Sequence, residues 1–70
     1  MTPITFAQPK ETVEIQKITA NDAQRQHLAE LGFVVGGRVR LVSRNGGSVI
    51  LEVRGSRIAL GQSMANHILI

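Results

Sequence analysis

Apolar and polar positions alternate with a period of two in four stretches of this chain. In Thr12–Thr19, Val13 and Ile15 alternate with Glu14 and Gln16, the signature of a half-buried strand. Ile18 falls out of phase with that pair, and a bulge near Lys17 accounts for the slip. Arg38–Arg44 alternates again, with Val39 and Leu41 inward and Arg38 and Arg40 outward. Asn45-Gly46-Gly47 is a hairpin turn signal. Ser48–Val53 returns with Val49, Leu51 and Val53 on one face, leaving Ile50 outward. Arg54-Gly55-Ser56 turns once more, and Arg57–Leu60 forms a third strand through Ile58 and Leu60.

The period changes between residues 21 and 32. Asn21 is a good helix N-cap, and Gln24 stands at the capping-box spacing. Asp22 places negative charge in the first turn, where the helix dipole favours it. A helix is predicted over Asp22–Leu31, its narrow apolar face made by Leu28 and Leu31 with Ala23. Gly32 follows at the place where a helix end favours left-handed geometry. Phe33 is assigned to the core, while Val34 and Val35 are either folded under the helix or displayed as a docking knob. Gly61–Asn66 reads as one helical turn, with Met64 as core filler, and His67–Ile70 as a closing strand. Residues 1–11 hold both prolines and no clear period. Ile4 and Phe6 are expected to tuck under the domain while Gln8–Glu11 turns.

This order of elements suits a mostly β, five- to six-stranded small barrel with one inserted helix over about 22–31. Closure of such a barrel removes sheet edges. Seventy residues make a single domain, 1–70, with 1–11 packing on or leading into the barrel. A domain of this length buries only about 60% of its unfolded surface, so its stability margin is thin. There is no cysteine, hence no disulfide and no thiolate metal site. No apolar run approaches the roughly 20 residues of a membrane span, and the first residues lack a signal-peptide pattern. A cytosolic protein is expected.

Charge and chemistry narrow the function. The net charge is +3, and Arg38, Arg40, Arg44, Arg54 and Arg57 face one acid, Glu52, over that stretch. Read as one strand face, these arginines suit nucleic acid, anionic lipid or an acidic protein; the commoner reading, preferred here, is solvated charge that keeps a small domain soluble. Only Phe6 and Phe33 are aromatic, too few for a base-stacking platform or a proline-peptide groove. The glycines match neither phosphate-cradling fingerprint, and the serines, histidines and carboxylates form no enzyme constellation. His27 and His67 are two histidines without the further ligands that a metal site needs. No catalytic residue, resident cofactor or metal is expected, and no enzyme.

The pattern Leu28-x-x-Leu-Gly-Phe-x-x-Gly36, the alternating strands, Arg57-Ile-Ala-Leu60 with Met64-Ala65, and the terminal Ile68-Leu-Ile70 resemble the FeoA (ferrous iron transport protein A) family. The resemblance runs from about Thr12 to Ile70. It implies an SH3-like barrel and a non-enzymatic cytosolic accessory of ferrous iron uptake. The implied partner is ferrous iron transport protein B, a membrane GTP-binding permease that would hold this protein at the inner face of the membrane. Homo-oligomers fit the same picture, whereas nucleic acid and direct membrane insertion are not expected. The candidate partner residues are Val34, Val35, Arg38, Arg40, Ile50, Arg54 and Arg57. A small basic nucleic-acid-binding barrel, and a metal-responsive domain through His27 and His67, are the alternatives.

Overall fold

The computed structural model describes all 70 residues. A 3₁₀ turn over Ile4–Phe6 is followed by β1 (Thr12–Glu14), β2 (Lys17–Ile18), α1 (Asp22–Leu31), β3 (Arg38–Asn45), β4 (Ser48–Val53), β5 (Ser56–Gly61), α2 (Gln62–Ala65) and β6 (Ile68–Leu69). Strands β1-β3-β4-β5 form one antiparallel sheet in that order, and β2 pairs with β6 in a second. One core cluster, centred on Phe33, Ile4, Ile15, Leu28, Leu41, Leu51, Ile68 and Val39, fills the space between the sheets and the helix. No helix is long and apolar enough to cross a membrane.

The predicted capping of α1 forms on both sides. The Gln24 backbone N–H donates to the Asn21 side chain at 2.8 Å, and the Gln24 side chain accepts from the Asn21 N–H at 3.2 Å. At the other end Gly32 adopts φ +108°. The Phe33 N–H reaches back to the Leu28 carbonyl at 2.9 Å, and the Gly32 N–H reaches the Ala29 carbonyl at 3.0 Å. This is a Schellman closure, which brings an apolar residue after the glycine against one in the last turn. Leu28 and Phe33, both fully buried, are that pair. Leu31 is half-buried beside them, and Ala23, expected on the same face, is exposed.

Two expectations are corrected. Thr12–Thr19 is two strands, not one with a bulge. At Ile15–Gln16 the chain leaves the first sheet for the second: the Ile15 N–H donates to Gly37 O and the Gln16 N–H to Leu69 O, each at 2.8 Å. The change of sheet, rather than an extra residue, shifts the phase of Ile18. The bulge lies instead in β3, where the register with β4 shifts between Leu41 and Ser43.

Phe6 does not tuck under the domain but is 71% exposed, while Ile4 is fully buried. The 3₁₀ turn repeats every three residues, so Ile4 and Ala7 share the inner side and Phe6 points away. The expected third strand forms through the buried Leu60 and Ile58, which is half-buried on this edge strand and packs against the core. In α2, Ala65 is buried and Met64, half-buried, packs against the core as the expected filler.

Candidate functional site

The connection from α1 to β3 is a tight turn. The Gly37 N–H donates to the Val34 carbonyl at 2.9 Å, and Gly36, third in the turn, takes φ +86°. That positive φ is what a type II turn demands at this place, and glycine supplies it without strain. Two further bonds tie the turn to the β1–β2 crossing: the Gly36 N–H donates to Ile15 O and the Ile15 N–H to Gly37 O, both at 2.8 Å. Val34 and Val35 therefore part ways. Val34 is half-buried and folds over Gly37, where an added Cβ would lie 3.2 Å from its Cγ2. Val35 is 63% exposed at the tip of the hydrogen-bonded turn.

The same end of the barrel carries the β4–β5 turn. Arg54 and Gly55 both have positive φ, +53° and +79°, which is the two-residue type I′ hairpin. The Arg54 stem lies against the end of α1, with its Cδ 3.3 Å from where a Cβ on Gly32 would sit. Its positive charge is thereby brought to the negative end of the helix dipole. Arg38 opens β3 and Arg57 lies near the start of β5, on this side of the sheet. The fold thus gathers Val34, Val35, Arg38 and Arg54 at one end. Arg40 and Arg57 stand further along the outer face, on either side of Glu52, and Ile50 further still.

The five arginines do not make one basic face. Thr12, Arg40, Glu52 and Arg57 lie in register across the four strands. Arg40 Nη2 sits 2.9 Å from Glu52 Oε1 in a partly exposed ion pair, and Arg57 faces the same Glu52 from the other side. Arg38 lies opposite Glu14. Arg44 leaves the outer face altogether. The β3 bulge inserts one residue and reverses the alternation, so that Arg44 pairs with the buried Val49 on the core side. There its guanidinium donates to Thr5 O (Nε, 3.0 Å) and Ala7 O (Nη2, 2.8 Å). An arginine read as solvated charge, and still exposed, also holds the N-terminal segment. Strict alternation hides that role, and no residue in β3 signals the bulge.

His27 is exposed on α1, and His67 lies between α2 and β6, its Nδ1 3.2 Å from Thr19 Oγ1. No group of three or more His, Cys, Asp or Glu side chains is assembled. No pocket opens on the surface.

Solved structures of similar shape place this architecture. FeoA of Stenotrophomonas maltophilia complexed with zinc, described as a procaryotic SH3 domain protein, superposes with TM-score 0.83 at 29% identity, over 99% of this chain and 88% of that one. A second FeoA structure, an iron uptake regulatory protein, gives TM-score 0.85 at 24% identity, over 96% of this chain and 89% of that one. The cadmium-bound protein ScaR contains the same fold as 34% of its length, at TM-score 0.86 and 24% identity over 97% of this chain. The molecule is a small SH3-like barrel with an inserted helix. In sequence, the FeoA domain family model matches residues 2–70. "Putative Fe(2+) transport protein A" of Methanocaldococcus jannaschii is 33% identical over the whole chain and 85% of its own length. The chain belongs to the FeoA family, the ferrous iron transport accessory proteins.

Proposed function

We propose that this protein works in the cytoplasm as a non-enzymatic adaptor. It docks on the cytosolic region of ferrous iron transport protein B and modulates ferrous iron uptake. Family membership over residues 2–70 carries this reading. The arrangement of the barrel supports it. Val35 projects from a turn fixed by three backbone hydrogen bonds, beside Arg38 and Arg54. An apolar knob with adjacent cations fits an apolar depression with an acidic rim on a partner. Ile50, Arg40 and Arg57 extend the same surface along the sheet, and attachment to the inner face of the membrane follows from the partner. No metal or cofactor takes part in this reading.

The test is capture of the purified permease cytosolic region by this protein immobilised through its C-terminus. The wild type is expected to retain the partner and Val35→Asp to lose it. Absence of binding by the wild type, with both proteins folded, overturns the proposal. A gel shift at two salt concentrations decides the nucleic-acid alternative, for which affinity falls steeply with salt.

A further inference from the structure

Strand β5 ends the four-stranded sheet, with no strand hydrogen-bonded on its outer side. It spans six residues, Ser56–Gly61, without proline, lysine or a bulge. The opposite edge, β1, has only three residues. Proteins ordinarily blunt or cover an edge of the longer kind, because its free N–H and C=O groups template another strand. The two-residue loop closes the β4–β5 hairpin on Val53 and Ser56. The pairs Val53/Ser56, Leu51/Ile58 and Val49/Leu60 therefore exchange hydrogen bonds, while Arg57, Ala59 and Gly61 aim their backbone groups outward. Arg57 and Ala59 take part in none of the turn, loop or cap bonds, while the Gly61 carbonyl stands at the N-cap of α2 and keeps a second lone pair for a partner strand.

We propose that β5 pairs antiparallel with β5 of a second copy of this chain, across a two-fold axis at Ala59. In that register Ala59 faces Ala59 of the second copy, Arg57 faces Gly61, and Ile58 faces Leu60. Every outward-aimed backbone group meets another outward-aimed group, as an antiparallel ladder requires. The half-buried Ile58 gains apolar cover from Leu60 of the second copy. Arg57 meets a glycine, so the one charged residue of the strand meets no like charge. A slip of one residue would set Ile58 against Ala59 and so mismatch the two faces of the sheet. The resulting eight-stranded sheet leaves the Val35 turn free, and the pairing does not depend on docking to the permease.

Six residues a side make an interface below the standard size, so association is sought by sedimentation between roughly 10 µM and 1 mM. The wild type is expected to dimerise in that range. Ala59→Lys and Ala59→Glu each place two like charges directly opposite at the axis. Each is expected to weaken dimerisation about fivefold, the upper order of one cross-strand like-charge pair. Ala59 is exposed, and unchanged amide spectra of the monomers check that both variants fold. An equal mixture of the two variants places lysine opposite glutamate and is expected to restore the dimer. A wild type that stays monomeric at the top of the range overturns the proposal and leaves the edge to an extended segment of another protein. Dimerisation unaffected by either substitution, or a mixture that stays monomeric, also overturns it.

Discussion

Arg44 donates from Nη2 to the Ala7 carbonyl oxygen at 2.8 Å, across 37 residues of sequence. The same guanidinium bonds the Thr5 carbonyl, and Thr5 Oγ1 in turn donates to Asn66 Oδ1 at 2.7 Å. The N-terminal segment is thus held to β3 on one side and to α2 on the other. Arg44→Ala is expected to cost about 1–2 kcal/mol, the range of a hydrogen bond to a charged donor at a partly exposed site. The loss is read from the urea midpoint. Arg44→Lys is expected to recover little of it, because an ammonium lacks the planar fork that reaches both carbonyls. Proteolytic nicking within residues 1–11 should rise in both variants.

Gly32 and Gly46 separate two reasons for glycine. Both have positive φ, +108° and +53°. A Cβ on Gly32 would lie 3.3 Å from both Val53 Cγ2 and Arg54 Cδ, whereas a Cβ on Gly46 meets nothing within 4 Å. Gly32→Ala is expected to cost about 1–3 kcal/mol of backbone strain, with the crowding added. Gly46→Ala is expected to cost less, since its φ lies in the ordinary left-handed region. Chemical denaturation of the two variants side by side gives the order.

The capping box predicts a graded series. Asn21→Ala removes the acceptor for the Gln24 N–H and is expected to destabilise by about 1 kcal/mol. Asn21→Asp keeps the acceptor and should stay near the wild type. Thermal unfolding followed by helical circular dichroism reads both.

The Arg40–Glu52 pair is about one-third exposed on each side, so solvent screens it. Glu52→Gln is expected to change stability by under about 1 kcal/mol, and less at high salt. It removes the carboxylate that pairs with Arg40 and lies opposite Arg57, and raises the net charge from +3 to +4, one acid fewer. Titration of the permease cytosolic region against this variant is expected to show a stronger dependence on salt than the wild type.

Val35→Asp separates docking from folding. The side chain is exposed at a turn tip, so stability is expected to move by less than about 0.5 kcal/mol. Capture of the permease is expected to weaken at least about tenfold, the scale of an apolar anchor. The paired measurements are a denaturation midpoint and a binding isotherm on one preparation.

Local rules located most elements. Alternation found β3 and β4, the Asn21 and Gln24 spacing found the start of α1, and Gly32 marked its end. Those signals rest on nearest neighbours and on bonds within a few residues, which a sequence records directly. The candidate surface was legible only in part. Val34 and Val35 were separated by a turn whose anchor, Ile15, lies about twenty residues away in the chain. Arg44 was misread because a bulge depends on how β3 fits β4, and period-two counting cannot register an inserted residue. Phe6 was misplaced because a 3₁₀ turn and a strand leave similar traces over three residues.

By itself, then, the sequence determined the helix with both its caps, the two hairpin turns, the apolar faces of the central strands and the family pattern. Each follows from dihedral preference, side-chain period or short-range hydrogen bonding. Only the tertiary structure decided where the chain passes from one sheet to the other, that Arg44 bonds the N-terminal segment, that Val35 rather than Val34 is displayed, and that β5 is left as an open edge. Those outcomes depend on which strands lie side by side. That is settled by burying one shared core, not by any residue's preference alone.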